Sequence, residues 1–313
     1  PSHEQSIVDI GQNEAMTLHP QIEAIISSMP IRSFAEMDVG EARQAHAAGA
    51  AARPKGPDMA DVSEVVIGGC EMTRLSPKNA DGSAVVFFHG GGWVLGSRAT
   101  HDGPCRHLAA GSAATVFNVE YRLAPEHPFP AAYDDAVEVT QALLSGADES
   151  IDCSRVAVAG DSAGGNLAAA AALALRDEPA TPAALLLIYP ALDATMSTPS
   201  YLEFADGPFL TAREMAWFYD AYAQGTDPLD PRLSPAWAAQ LDGLPSTLVI
   251  TASHDVLRDE GEEFARAMAA AGCDASASRH VGATHGFFGW SHAAAPSRTA
   301  MTLAAGWLSE TLG

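Results

Sequence analysis

Lysine is almost missing from this chain: Lys55 and Lys78 are the only two in 313 residues. Arginine raises the basic total only to 17 against 39 acidic residues, a net charge of −22. A chain this acidic repels phosphate backbones and anionic headgroups, so neither nucleic-acid binding nor stable membrane association is expected. Cysteine is also sparse. Cys70, Cys105, Cys153 and Cys273 are scattered without a C-x-x-C pair, which excludes a zinc-ribbon spacing and reads as reduced thiols rather than a disulfide framework. Long apolar runs are absent too. The richest, Ala168 to Leu175 and Ala183 to Tyr189, fall far short of the roughly 18 consecutive apolar residues of a membrane span. The first ten residues, PSHEQSIVDI, do not lead from a basic stretch into an apolar one, so they do not read as a secretory signal. A cytoplasmic protein is the expectation.

What the chain does have is apolar residues, 47% of the total, grouped in short β-branched or aliphatic runs. Val62 to Ile67, Ala84 to Phe88, Thr115 to Val119, Arg155 to Ala159, Ala183 to Ile188 and Thr247 to Thr251 read as strands. Pro130 to Leu144, Ala163 to Arg176, Val256 to Ala271 and Pro296 to Leu312 have helical spacing. Strands alternating with helices predict an α/β fold, with a mostly parallel sheet covered on both faces.

Two regions break the alternation and are read as cap material. In 1–58, Ile22, Ile25, Ile26 and Met29 follow the i, i+3, i+4, i+7 rule after Pro20. In the insertion 193–244, Thr211 and Glu214 are spaced as a capping box ahead of Met215, Phe218, Tyr219 and Tyr222. The two apolar faces are expected to pack on each other over the site. The core is then 59–192 and 245–313.

The chemistry is concentrated in RVAVAGDSAGGNLAAAAALAL, 155–175. A strand runs into Gly160-Asp161-Ser162-Ala163-Gly164 and a helix follows. In G-x-S-x-G the turn is so tight that side chains at the outer positions would clash, so Gly160 and Gly164 let Ser162 stand exposed as a nucleophile. At a helix N-terminus, free N–H groups also face any oxyanion formed there. Upstream, His89-Gly90-Gly91-Gly92-Trp93 directly follows a strand, and its glycines can turn backbone donors toward a ligand. It lacks the spacing of a dinucleotide fingerprint and the G-K-[ST] of a phosphate loop.

A serine hydroxyl needs a base, and the base needs an acid, in the chain order Ser, acid, His. Asp255 lies just past a strand, and His285 lies in a later loop before the last helix. His254, His280 and His292 are rivals for the base. His254 sits beside the acid, and His292 falls at or near the final helix. Asp259 and Glu260 belong to the first turn of the next helix, where carboxylates usually compensate the dipole. Asp161 adjoins the nucleophile but points away from it, which suits a structural hydrogen-bonding role. His101, His107 and the other histidines lack H-E-x-x-H or similar spacing, so no metal site is expected.

With these motifs in place, HGGGW at 89–93, YRLAPEHPFPAAYDD at 121–135, GDSAGG at 160–165, DVLRDEG at 255–261 and HGF at 285–287, the chain resembles the hormone-sensitive-lipase family of bacterial esterases from about Val62 onward. The resemblance implies an α/β-hydrolase core of about eight strands with a helical cap, and a serine carboxylesterase that cleaves short to medium acyl esters without a cofactor. It implies a triad of Ser162, Asp255 and His285, and an oxyanion hole from the N–H groups of Gly91, Gly92 and Ala163. It also implies that Arg122, Glu126 and the prolines of 125–130, with one or more cis X-Pro bonds among them, brace the oxyanion segment. Members often pair through the last strand, here near 275–281, so a homodimer is expected. Trp93, Phe209, Phe287 and the aromatics of 217–222 either line the acyl pocket or belong to the core. The same machinery would suit lactones, amides or thioesters. A non-catalytic small-ligand receptor would be expected to have lost a triad member.

Overall fold

Among the described residues, eight strands form one sheet in the order β1-β2-β4-β3-β5-β6-β7-β8. They are β1 (Asp61–Ile67), β2 (Cys70–Ser76), β3 (Ala84–Phe88), β4 (Thr115–Val119), β5 (Val156–Asp161), β6 (Ala184–Ile188), β7 (Ser246–His254) and β8 (Ala275–Thr284). The computed structural model describes residues 17–29 and 33–313. From β4 across to β8 all neighbours run parallel, while β2 is antiparallel to both β1 and β4. The chain is therefore an α/β-hydrolase fold, a mostly parallel sheet flanked by helices.

The central strands are buried along their whole length, which is why they read as unbroken apolar runs rather than alternating ones. Their side chains divide between two cores. Val86, Phe88, Leu185 and Leu187 pack with α4 (Ala131–Leu144), α5 (Ala163–Leu175) and α8 (Arg258–Ala270). Val85, Phe87, Leu186 and Ile188 pack with α3 (Arg98–Ser112) and α9 (Ala295–Leu312). Each buried Phe or Leu contributes about 1.5–3 kcal/mol relative to exposure. Helix α5 is buried nearly all round, and its run of alanines lets it lie close under the sheet.

β2 does not appear among the sequence expectations. Polar Glu71, Thr73 and Arg74 interrupt its inward Cys70, Met72 and Leu75, so no apolar run announces it. The signal that would have found it is the two-residue Gly68-Gly69 turn to β1, with φ of +57° and +78°. Three helices were likewise not foreseen: α2 (Val39–Ala51), α3 and the short α6 (Pro199–Glu203). α3 contains Pro104 and few apolar residues, although Ser97 and Thr100 cap it reciprocally.

The expected pairing of the two cap faces is overturned. Ile22 of α1 (Pro20–Ser27), with Ile25, Ile26 and Met29 beside it, joins the cluster of Ala283, Phe287 and Trp290, and His19 N–H donates to Gly282 O at the end of β8. Met215, Phe218, Tyr219 and Tyr222 of α7 (Ala212–Ala223) join the other core with Trp93. The N-terminal segment reaches α7 instead through Phe34, Met37, Val39 and Ala42, which pack on the same core, and through a polar contact. Ser33 Oγ and Phe34 N–H both donate to Glu214 Oε1, at 2.9 and 3.1 Å, while Glu214 completes the Thr211 capping box. Amphipathic spacing shows that a face is buried but not what it is buried against.

Candidate active site

Five strands, β3, β5, β6, β7 and β8, end on the same side of the sheet, and the residues that follow them meet there: His89, Ser162, Tyr189, Asp255 and His285. This is the edge where open α/β sheets bind ligands.

Ser162 sits between β5 and α5 at φ +56°, ψ −118°, a region that non-glycine residues rarely occupy. The surrounding bonds hold it there. Ser162 N–H donates to Ile188 O at 2.8 Å, and its own carbonyl accepts from Asn166 N–H at 3.1 Å and Ala191 N–H at 3.2 Å. The flanking glycines are required by contact. A Cβ on Gly164 would lie 1.9 Å from Phe88 O, and one on Gly160 would lie 2.2 Å from Gly164 O.

From the serine a chain of two hydrogen bonds leads into the protein. Ser162 Oγ–H donates to His285 Nε2 at 2.9 Å, and His285 Nδ1–H donates to Asp255 Oδ2 at 2.7 Å. The other carboxylate oxygen of Asp255 accepts from Leu257 N–H at 3.0 Å. All three side chains are buried, Asp255 to 1% exposure. A hydroxyl bonded to an imidazole, itself bonded to a buried carboxylate, is an arrangement that can move a proton from oxygen to nitrogen and stabilise the resulting imidazolium.

The glycine segment after β3 is anchored from beside the serine. Asp161 Oδ1 accepts from Gly90 N–H at 2.8 Å and faces His101 Nε2 at 3.2 Å. Burial pushes the Asp161 carboxyl up, but His101 and the Gly90 N–H outweigh it and hold the group below the ordinary carboxylate value. His89 is pushed down to about 3, chiefly by burial and further by His101. Its neutral ring donates from Nδ1 to Gly90 O at 2.9 Å and stacks 4.3 Å from Tyr121, whose hydroxyl donates to His89 O. Gly91 and Gly92 have φ of +123° and +60°. Among the described residues, the N–H groups of Gly91, Gly92 and Ala163 donate to no protein acceptor.

The rival residues are accounted for elsewhere. Asp259 accepts from Ser200 N–H and pairs with Arg258. Glu260 is fully buried, accepts from Leu192 N–H at 2.6 Å, and burial raises its carboxyl well above the usual value. His254 Nδ1 meets Ser253 Oγ, and His280 lies against Phe287. His292 follows the 3₁₀ turn Phe287–Trp290, short of α9. In 121–135, Arg122 pairs with Asp135 and Glu126 with Arg43, and the bonds before Pro125 and Pro130 are cis.

Of the three aromatics expected at the pocket, Trp93 is fully buried, stacked 4.7 Å from Tyr222, and Phe287 is fully buried 5.9 Å from Tyr189. Phe209 is half-buried and touches the position next to His285, since a Cβ on Gly286 would meet its ring at 2.9 Å. Phe218, one of the 217–222 aromatics expected either at the pocket or in the core, covers Gly92. Two neighbours of the site were missed from sequence: Tyr189 lies 4.5 Å from the His285 ring, and His101 supports Asp161. Tyr189 could have been flagged by its place just past a strand. His101 carries no local signal. Among the described residues no group of three His, Cys, Asp or Glu side chains is arranged to hold a metal, and no helix is long and apolar enough to cross a membrane.

The α/β-hydrolase-fold family matches residues 85–289. A carboxylic ester hydrolase of Mycobacterium tuberculosis, LipN, is 37% identical over 309 residues, covering 92% of this chain and 82% of that protein. Among solved structures, a hyperthermophilic esterase of the archaeon Pyrobaculum calidifontis superposes with a TM-score of 0.87 at 36% identity, covering 95% of this chain and 100% of that one. An ester hydrolase from the Lake Arreo metagenome, solved with a bipyridine phosphonate derivative, gives 0.88 at 34% identity, covering 94% and 99%.

Proposed function

Because this chain belongs to the α/β-hydrolase family, as one of its hormone-sensitive-lipase-like members, and is a carboxylic ester hydrolase, we propose that it cleaves short to medium acyl esters through an acyl-enzyme on Ser162. The observation that carries this reading is the Ser162–His285–Asp255 hydrogen-bond chain at 2.9 and 2.7 Å. Ser162 Oγ attacks the ester carbonyl while His285 Nε2 takes its proton. The tetrahedral oxyanion is held by the N–H groups of Gly91, Gly92 and Ala163, which have no other acceptor among the described residues. His285 then protonates the departing alcohol. A water, deprotonated by the same nitrogen, attacks the acyl-serine and releases the acid. Asp255 fixes the imidazole tautomer throughout. Asp161, His89 and Gly90 keep the glycine segment at its distance from the nucleophile, and Gly160 and Gly164 keep the elbow tight.

We assign 1–58 and 193–244 to a cap over a core of 59–192 and 245–313, with Phe209 at the acyl pocket. The Ser33–Glu214 bond between the two cap segments supports this division. The occupant of the site is a small ester. A reducing cytoplasm suits the four free cysteines, and the exposed edge at β8 suits a homodimer.

Treatment with a 4-nitrophenyl phosphonate followed by peptide mass spectrometry tests the reading. The adduct is expected on Ser162 with complete loss of turnover. An adduct on any other residue, or esterase activity that survives stoichiometric labelling of Ser162, would overturn it.

A further inference from the structure

Arg53 is anomalous among the cations of this chain. Every other arginine of the described residues that is not exposed has a carboxylate partner, from Arg43 with Glu126 to Arg279 with Glu262. Arg266 and Arg298, which have none, are exposed. Arg53 is half-buried just past the end of α2, and its guanidinium has no hydrogen-bond or ion-pair partner among the described residues. Its Nη1 lies against Gly289, where a Cβ would come within 2.7 Å. Partial burial of a cation without a partner is costly. The carboxylate within electrostatic reach of it, Asp161, is already engaged by Gly90 N–H and His101 and makes no ion pair with the guanidinium.

The guanidinium borders a cavity of about 130 Å³ between the end of α2, the first half of α3 and the segment after the 3₁₀ turn at Phe287–Trp290. Lys55, His107 and His292 also line it, so one of only two lysines in the chain is here. His107 donates from Nδ1 to Gly103 O at 2.9 Å, which leaves Nε2 available. Thr100 adds a hydroxyl to the wall. The one carboxylate on the lining, Asp102, is taken up by Arg106 at 2.7 Å. Burial, with Arg53 and His107 adding, holds His292 below its ordinary value, as expected if the three basic groups face one space. The net negative charge of the whole molecule does not oppose an anion at this distance, because charges beyond about 8 Å are largely screened at physiological ionic strength.

We infer that this cavity is a binding site for a small oxyanion, a phosphate or carboxylate group, held by the Arg53 guanidinium with His107, His292 and Lys55. The volume suits a group of that size, and the guanidinium fork suits its paired oxygens. The oxyanion is either a free ion or the carboxylate end of an ester whose other end reaches Ser162. The second case rests on the esterase reading; the first does not.

The test uses the full-length protein and inorganic phosphate, acetate and succinate as probes. Arginines are labelled with phenylglyoxal and read by peptide mass spectrometry, with exposed Arg266 and Arg298 as internal controls. At an anion concentration about ten times Kd, labelling of Arg53 should slow about tenfold, because the free fraction falls as 1/(1 + [L]/Kd). Labelling of the controls should not change. Calorimetric titration should show saturable binding that weakens at least about tenfold in Arg53→Gln, the loss expected for a charge-assisted contact. The labelling arm needs no variant and so stands if Arg53→Gln folds poorly. Phosphate competing against a 4-nitrophenyl hemisuccinate but not a 4-nitrophenyl butyrate identifies the substrate's own carboxylate as the occupant. Protection without competition against either ester identifies a free oxyanion. If none of the three anions protects Arg53 and none binds saturably, the site does not exist.

Discussion

The ring of Phe218 lies directly on the backbone of Gly92, so close that a Cβ on that glycine would meet the ring at 2.1 Å. A residue of α7 thus presses on a segment assigned to hold the oxyanion, and Gly92 itself is at φ +60°. Gly92→Ala should displace the segment. With one oxyanion donor lost, kcat should fall about 10²–10³-fold. Adding Phe218→Ala should recover part of the loss by relieving the contact, while the positive φ remains strained for alanine. Steady-state rates on a butyrate ester read both effects. Undiminished kcat in the single variant would exclude the Gly92 N–H from the oxyanion site.

Asp255→Asn preserves shape but removes the charge that fixes the His285 tautomer. A fall in kcat of about 10³–10⁴-fold with the melting temperature little changed is expected, the pattern known for buried triad carboxylates. A loss of activity that merely tracks a loss of folded protein would instead make Asp255 structural.

Glu260 supplies a pH signature in stability rather than rate. Its carboxyl is raised well above 4.5 by burial, despite the hydrogen bond from Leu192 N–H. Above pH 4.5 the unfolded chain releases this proton while the folded chain keeps it. Its contribution is therefore fully present below the unfolded pKa and is lost as pH rises toward the folded one. Glu260→Gln keeps the amide oxygen as an acceptor and cannot ionise. Its melting temperature relative to the parent, followed from pH 5 to pH 8, should climb as pH rises above 4.5. A difference that is flat across that range would mean that Glu260 is charged in the folded state.

Removal of residues 1–40 should leave the sheet folded, as judged by far-ultraviolet circular dichroism, but lower activity and broaden acyl-length preference. Ile22 is fully buried, so its loss alone should cost about 1.5–3 kcal/mol. Glu214 would also lose the Ser33 and Phe34 donors that tie α7 to the N-terminal segment. Parent-like rates on both acetate and octanoate esters would remove the cap role from this segment.

Among the described residues, β8 has a strand neighbour on one side only, and Val281 on it is 64% exposed. Light scattering at assay concentration should give twice the monomer mass, and Val281→Lys should shift it to the monomer. A monomeric parent would end the homodimer proposal.

The parts of the site set by local steric rules were the legible ones. Gly160 and Gly164 are dictated by backbone atoms a few residues away or across one strand pair, so five letters suffice to find the elbow. Strand ends mattered likewise, because Ser162 and Asp255 each follow a run of apolar residues, whereas His285, after the mixed ASASRHVGAT of β8, is picked out by the chain order Ser, acid, His. Contacts between residues far apart in the chain were not legible. Nothing near His101 announces that it faces Asp161, and nothing in Phe218 names Gly92 as its seat. The cap faces show the same limit: α1 and α7 are both amphipathic, yet each found a different core. β2 escaped because its outward residues are as polar as a loop's.

Asp161 and Ser162 are consecutive residues, but one anchors the segment after β3 while the other carries the hydroxyl. Their strands are registered side by side, Phe88 opposite Gly160. The spacing between Ser162 and the glycine segment therefore starts from the register of the sheet, with Phe218 of α7 pressing on Gly92 from outside. Warming should loosen the peripheral segments before it disturbs that spacing. The temperature at which discrimination among acyl lengths fades should thus lie below the temperature at which bond cleavage itself stops.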